Sequence, residues 1–457
     1  MADVRLRYEE GTIRVEGDLP VDRDDTLADT VEYDPRSETG RVPAFAYPTV
    51  RAALAQTGLT VTDDVFDLAT LDLESTYKLR EYQQEALESW RANNDRGVVE
   101  LPTGSGKTVV AVAAIAALET PTLVVVPTLD LLDQWHRELT REFGDPVGRL
   151  GGDSQRVEDL TVSTYDSAYL RADELGDQFG LAVFDEVHHL GGEGYRDIAR
   201  LLAAPARMGL TATFERPDGA HEVVADLLGP VVSRRSAEDL AGEHLAAYDI
   251  KRIEVELTPE ERETYEQNQS VFTDYLRRSN ITLRSGGDYQ ELVKRSGTDP
   301  RAREALLAKQ RAREVMMNAE GKVDRLATLL DRHREDRVII FTAHTDLVYR
   351  LSERFLIPAI THETGTEERR EILDRFRRGT YSRVVTANVL DEGVDVPDAN
   401  VAVLLSGSGS EREFTQRLGR VLRPKSNGGR ALLYELVTEE TAETRVARRR
   451  RTDADGA

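Results

Sequence analysis

Short apolar runs bounded by polar or turn-forming residues recur through most of this chain, and their period changes along it. Val4-Arg-Leu-Arg-Tyr8 and Thr12-Ile-Arg-Val15 alternate with the period of two expected of half-buried strands, with Glu9-Glu-Gly11 as the hairpin turn between them. Pro48 to Leu59 instead places Val50, Ala53 and Leu54 at helical spacing and stops at Gly58. From Gly97 the alternation gives way to unbroken apolar runs: Gly97-Val-Val-Glu100, Thr122-Leu-Val-Val-Val-Pro127, Leu160-Thr-Val-Ser-Thr-Tyr165 and Leu181-Ala-Val-Phe184. The same pattern returns in Val338-Ile-Ile-Phe341, Ser382-Arg-Val-Val-Thr-Ala387 and Val401 to Leu405. Strands that are apolar on both faces belong to parallel sheets covered by helices. Helical stretches intervene, including Val109 to Leu118, the segment after Thr128, and Glu367 to Arg378 closed by Gly379.

Between these two α/β blocks the pattern is different. Ile250 to Leu257 alternates as a strand. Thr258 then caps a helix with Pro259 in its first turn, running to about Arg278. A Gly/Ser/Asp stretch interrupts, and a second helix follows from about Arg301 to Ala319. Two charged helices in this place read as an insertion. Their Arg277, Arg278, Arg284, Lys294 and Arg295 form a local basic excess, readable as a solvated face or as a duplex contact. The expected organisation is a small α/β domain at 1–72, an α/β block at 73–245, and a second block at 246–457 holding the insertion at about 258–316.

Length and composition change this picture further. The 457 residues suit about three domains at roughly 150 residues each. The net charge is −23 and Lys supplies only seven of the 60 basic residues, a balance that suits a salt-rich cytoplasm, where acidic surfaces keep proteins dispersed. It argues against a broad basic patch for nucleic acid, but leaves binding through backbone N–H groups and hydroxyls open. Cysteine is absent, which excludes disulfides and thiolate metal sites. Neither a signal peptide nor an apolar run of roughly 18 residues is evident, so an intracellular chain with no membrane partner is expected.

Candidate chemistry gathers at the ends of the apolar runs. Leu101-Pro-Thr-Gly-Ser-Gly-Lys-Thr108 lies between a strand and a helix, the context of a phosphate-binding loop. There Thr103, Gly104, Ser105 and Gly106 would turn their backbone N–H groups inward, Lys107 would reach the β- and γ-phosphates of ATP, and the Thr108 hydroxyl would hold Mg²⁺. The first Gly slot of the general pattern is filled by Leu101. Upstream, the Gln83 amide offers one donor and one acceptor side to an adenine edge. Asp185 and Glu186 follow a buried strand; Asp185 suits Mg²⁺ and Glu186 the attacking water. His188, Thr211 and Thr213 suit a relay from this pair across the cleft. Thr128 and Thr164 follow strands and suit nucleic-acid phosphates, with a plain N-cap as the alternative for Thr128. Thr342 ends a strand of the second block in the same way. Further on, Gly393 and Asp395 lie in a loop, and Phe414-Thr-Gln-Arg-Leu-Gly-Arg-Val-Leu-Arg423 puts Arg420 and Arg423 on one helical face with Gln416 a turn earlier. Those two guanidiniums suit arginine fingers.

Taken together, Leu-Arg-Glu-Tyr-Gln, Pro-Thr-Gly-Ser-Gly-Lys-Thr, Pro-Thr-Leu, Asp-Glu-Val-His-His, Thr-Ala-Thr, Phe-Thr-Ala, Asp-Glu-Gly-Val-Asp and Gln-Arg-Leu-Gly-Arg-Val-Leu-Arg resemble the superfamily 2 helicase core over about residues 77–437. Asp185-Glu-Val-His-His189, Thr164-Tyr-Asp-Ser-Ala-Tyr169 and Leu210-Thr-Ala-Thr-Phe-Glu-Arg216 are similar to the archaeal XPB family. The resemblance implies two RecA-like parallel-sheet domains, a thumb-like helical insertion and an N-terminal damage-recognition-like domain. It implies a DNA-dependent ATPase using Mg²⁺, with 3′→5′ helicase or duplex-translocase activity in excision repair or transcription, and in some members a partner nuclease. Gly393, Asp395, Gln416, Arg420 and Arg423 would complete the ATP site, and Arg216 would touch DNA. Where the family carries an Arg-Glu-Asp strand-separating element this chain reads Arg216-Pro217-Asp218, which puts unwinding in question but not hydrolysis. An RNA helicase, a motor subunit of a nuclease or restriction complex, and a non-catalytic scaffold are the competing readings.

Overall fold

The structure, a computed structural model, describes residues 3–17, 25–102, 104–144, 146–192, 194–215, 219–236, 239–240, 248–279, 281, 286–387, 399–406 and 431–441. Within them the strands form three sheets. The chain divides into two compact units near residue 245.

The first sheet is small and mixed. It comprises β1 (Val4–Glu9), β2 (Thr12–Gly17), β3 (Glu32–Asp34), β4 (Thr39–Pro43) and β5 (Val61–Asp64), in the order β3-β4-β2-β1-β5. The alternation read from the sequence puts Val4, Leu6, Ile13 and Val15 on the buried face, against Val50, Ala53 and Leu54 of helix Tyr47–Thr57. The module shares its core with the block that follows: Ala203 belongs to its cluster, and Phe45 packs on both. Tyr8 Oη lies 2.8 Å from the Asp173 carbonyl and 3.1 Å from that of Leu201. Burial is the first cause that pushes this phenol up to about 12. Gly176 permits the approach, since a Cβ there would sit 1.7 Å from Tyr8 Oη.

The second sheet comprises β6 (Arg96–Glu100), β7 (Thr122–Val126), β8 (Val147–Gly151), β9 (Ser154–Arg156), β10 (Leu160–Thr164), β11 (Leu181–Asp185), β12 (Ala206–Thr211) and β13 (Val231–Arg234). Their order is β13-β6-β12-β11-β7-β10-β8-β9, parallel except for the β8–β9 hairpin. β7, β10, β11 and β12 are buried at every position, because helices cover both faces. Parallel alignment brings the C-terminal ends of β6, β12 and β11 side by side on one edge. The N-terminal module packs at the opposite edge, on the segments that lead into β11 and β12.

The third sheet comprises β14 (Tyr248–Val255), β15 (Val338–Thr342), β16 (Ala359–Ile360), β17 (Arg383–Ala387), β18 (Val401–Leu404) and β19 (Ala431–Thr438). It runs β14-β19-β18-β15-β17-β16, and its pairs are parallel. The insertion leaves between β14 and β15. Thr258 and Glu261 form a reciprocal capping box at the start of helix Pro259–Arg278. The expected pair of helices becomes three: Gly286–Ser296 is helical, where a Gly/Ser/Asp interruption was expected. Its two glycines fall in the first turn, where they cost little, and Leu292 is buried with Phe272, Ala302 and Ala305. Arg277 pairs with Asp274 and Arg295 with Glu291, each within one turn, as on a solvated face.

One buried cation organises the back of the second sheet. Arg207 in β12 is fully buried and donates to the carbonyls of Ala199, Leu202, Ala204 and Leu227. These carbonyls lie at or near the C-terminal ends of helices Arg196–Leu201 and Ala220–Leu228, where the partial charge is negative. Arg207→Met keeps the bulk and removes this donor from all four carbonyls, of which Leu227 O keeps Arg96 Nη2 at 2.7 Å. The expected loss is about 3–5 kcal/mol, the range for breaking a buried polar network. Denaturant unfolding of the variant beside the parent checks this, and an unchanged midpoint would refute the structural role of Arg207.

Candidate nucleotide-binding site

β6 ends in the Gly-rich loop, and helix Lys107–Leu118 begins directly after it. Leu101, in the slot where the general pattern has Gly, is fully buried in the core of this block. Its N–H donates to Thr211 O at 3.0 Å, which ties the loop to the end of β12. Lys107 is buried, and its Nζ donates to Leu101 O at 3.1 Å across the loop. Ser105 Oγ donates to Pro102 O at 2.6 Å. Gly106 has φ +84°, a backbone conformation that requires glycine, and a Cβ there would stand 2.5 Å from Gln83 Nε2 and displace that amide. The described residues of the loop, Gly104 to Lys107, are thus held by internal bonds.

Gln83 behaves differently from the expectation. Its Nε2 donates to Ser105 O at 2.8 Å, and its Oε1 accepts from Arg80 N at 2.9 Å, closing the first turn of helix Glu81–Ala92. Both ends of the amide are engaged inside the protein. Tyr82 Oη also donates to Ser105 O. In this state the pair braces the loop, and an adenine edge would have to displace those bonds.

Two strands away, β11 delivers Asp185 and Glu186, both buried. At about 4.8 Å per strand, the end of β11 lies roughly 10 Å from the end of β6. Glu186 occupies the left-handed region, φ 47° and ψ 55°, which is uncommon for a residue with a side chain and clusters at functional sites. Its N–H donates to Asp185 Oδ1 at 3.0 Å. Asp185 Oδ2 accepts from Trp135 Nε1 at 2.8 Å, and Asp185 O accepts from Tyr165 Oη at 3.2 Å. Trp135 and Tyr165 carry no signal of this in the sequence. Trp135 falls in the stripe Leu131, Leu132, Trp135, Leu139, which reads as core. Only the need of a buried indole N–H for an acceptor points further.

The relay residues come together. His188 Nδ1 lies 3.7 Å from Glu186 Oε2 and 3.4 Å from Thr211 Oγ1. Thr211 Oγ1 donates to Thr213 O at 2.9 Å. His189 stacks obliquely on His188 with ring centres 4.6 Å apart, and on Tyr165 at 5.8 Å.

The threonines expected at nucleic acid are used internally. Thr128 accepts from Leu131 N at 3.3 Å, the N-cap alternative. Thr164 is buried, caps helix Tyr165–Leu170 through Ser167 N at 3.2 Å, and donates to Ser167 Oγ. Thr342 is fully buried against Ser406 Oγ at 3.0 Å, so at that strand end the accessible groups are those of Ala343 and His344. Burial, and after it Arg313, lowers the His344 pKa and favours its neutral form. The hydroxyls of Thr164 and Thr342 thus stabilise strand ends instead of facing a polymer. Thr103, Arg216, Gly393, Asp395, Gln416, Arg420 and Arg423 lie outside the described residues, as does the arginine-rich segment after residue 444.

Comparison with known proteins places this geometry. A family model described as the Xeroderma pigmentosum group B helicase damage recognition domain matches residues 6–65. One described as the type III restriction enzyme res subunit matches 76–216, and one described as the ERCC3/RAD25/XPB C-terminal helicase matches 303–453. The DNA 3′-5′ translocase XPB2 of Sulfurisphaera tokodaii is 42% identical over 449 residues, covering 98% of this chain and 100% of that protein. The putative DNA 3′-5′ helicase Rad25 of Haloarcula marismortui is 32% identical over 410 residues, covering 88% of this chain and 59% of that protein. The crystal structure of the Pyrococcus furiosus Hef helicase domain aligns with TM-score 0.54 at 20% identity, over 82% of this chain and 98% of that one, a likeness of fold. With a damage-recognition module ahead of a helicase core, and a relative matched from end to end, the chain belongs to the XPB family of helicases.

Proposed function

We propose that this chain is an ATP-driven motor that moves along DNA with 3′→5′ polarity and serves repair or transcription. The observation that carries the reading is the buried acid pair Asp185–Glu186, held on the same sheet edge as the Gly-rich loop, with Glu186 in a left-handed backbone conformation. A surface turn does not need the burial; the positive φ is shared with turn residues such as Glu10 and Glu38. The names of the relatives supply the polymer and the polarity.

The residues fit Mg²⁺–ATP. A hydroxyl from Thr108 and a carboxylate from Asp185 are hard oxygen donors of the kind Mg²⁺ prefers. When bound, the ion screens phosphate charge. Lys107, now on Leu101 O, exchanges that carbonyl for a phosphate oxygen. Backbone N–H groups of the loop and the start of helix Lys107–Leu118 add partial positive charge. Glu186 orients the attacking water and takes its proton. His188, between Glu186 and Thr211, holds that carboxylate in register. Gly393, Asp395, Gln416, Arg420 and Arg423 keep their proposed roles on sequence grounds, the two arginines as the source of transition-state charge. The acidic, lysine-poor surface favours a salt-rich cytoplasm.

A second reading has one specific support: the restriction-subunit model matches residues 76–216, so the same motor could serve a nuclease complex. Polymer preference separates the motor readings from an RNA helicase.

In molar KCl, DNA is expected to stimulate ATP hydrolysis and RNA to leave it at the basal level. Stimulation by RNA alone would overturn the DNA assignment. Lys107→Ala is expected to abolish hydrolysis. Glu186→Gln is expected to lower kcat about 10²–10⁴-fold, the usual contribution of a positioned base, while ATP binding by equilibrium titration persists. Retained turnover in both variants would remove this site from the reaction.

Strand separation is expected to be weak beside translocation, because Pro217 stands where the family has Glu. Pro217→Glu should raise strand displacement on a tailed duplex with little change in hydrolysis. Equal displacement by both proteins would dismiss Pro217 as the cause.

A further inference from the structure

Two donors from different helices converge on one residue of the acid pair. Trp135, on helix Leu129–Phe143, donates its indole N–H to Asp185 Oδ2 at 2.8 Å. Tyr165, at the start of helix Tyr165–Leu170, donates its hydroxyl to Asp185 O at 3.2 Å. The first grips the side chain and the second the main chain. Both aromatic residues are essentially buried, so water does not compete for either bond. Asp185 Oδ1 meanwhile accepts the Glu186 N–H, which fixes the plane of the carboxylate. A carboxylate in a dry site held by a charge-assisted bond keeps one rotamer.

We propose that Trp135 and Tyr165 are positioning residues for Asp185 and set the metal requirement of hydrolysis. The inference rests on the motor reading and specifies how its metal-facing acid is aimed. Trp135 fixes which lone pairs of Asp185 point toward the nucleotide edge. Tyr165 fixes the height of the β11 end, with its ring set between His189 at 5.8 Å and Tyr195 at 5.3 Å. Outer-shell partners of metal-binding carboxylates are worth about 10–100-fold in metal affinity or activity.

The chain supplies its own reporter, because it has two tryptophans, Trp90 and Trp135. Trp90 donates to Arg207 O at 2.8 Å, away from the acid pair. In Trp90→Phe protein, Trp135 is the sole tryptophan. Its emission is expected to change on adding Mg²⁺ with ADP, and not on adding ADP in EDTA. In an otherwise unaltered chain, Trp135→Phe is expected to raise the Mg²⁺ concentration for half-maximal hydrolysis about tenfold or more, with ADP affinity in EDTA unchanged. Tyr165→Phe should shift it in the same direction by less. A purely structural role for these residues would lower the melting temperature and leave the Mg²⁺ midpoint alone. Unaltered midpoints in both variants, or Trp135 emission indifferent to Mg²⁺, would overturn the inference. If Trp135→Phe fails to fold, the emission of the Trp90→Phe protein and the Tyr165→Phe midpoint decide. Absence of hydrolysis in the parent chain would instead overturn the motor reading itself.

Discussion

Parallel pairing is the constraint on which the rest depends. A sheet whose faces are both covered leaves its edges for chemistry, and parallel strands put all their carboxyl ends on one edge. The loop after β6, Thr211 after β12 and the acid pair after β11 become neighbours because their strands are neighbours. The charged groups there are buried, so each must be satisfied by the protein until a ligand arrives. Lys107 rests on a carbonyl, and Asp185 on an indole and a backbone N–H. The candidate site is thus a set of internal bonds, several of which, Lys107 to Leu101 O and Gln83 to Ser105 O among them, would have to be exchanged on binding.

Local chemistry was legible in the sequence to the extent that its partners are adjacent in the chain. The phosphate loop, the acid pair and the Thr258 cap declare themselves within a few residues, since strand, turn and helix are covalently consecutive. The three-sheet architecture followed from the switch between alternating and continuous apolar runs. What stayed hidden depends on distant partners. Trp135 meets Asp185 across 50 residues and Tyr165 across 20. Helix Gly286–Ser296 is held by Leu292 against neighbouring helices, a tertiary contact that local composition cannot report. Thr164 and Thr342 look like free hydroxyls in sequence because nothing there marks Ser167 and Ser406 as their partners.

The N-terminal module illustrates the other edge. Tyr8 and Phe45 dock it on the segments that enter β11 and β12, the same region whose helix ends Arg207 gathers. Module and nucleotide site therefore lie at opposite ends of the same strands. The strands β11 and β12, and the side-chain cluster that joins Phe45 to Phe184 and Tyr165, connect the two ends.

Exposure to solvent ions divides the charged interactions of this structure into two groups. Many of the ion pairs are exposed Arg–carboxylate contacts, such as Arg334 with Asp331, Arg375 with Glu371 and Arg354 with Asp324. At about 1 M salt the screening length falls to about 3 Å, and pairs of this kind contribute little. The Arg207 cluster, the Lys107–Leu101 bond and the Trp135–Asp185 bond lie behind the protein's own dielectric, where ions in solution scarcely screen them. Added salt therefore weakens the surface pairs and leaves the interior charges still acting on one another. The contacts of the candidate site in the second sheet belong to that protected interior.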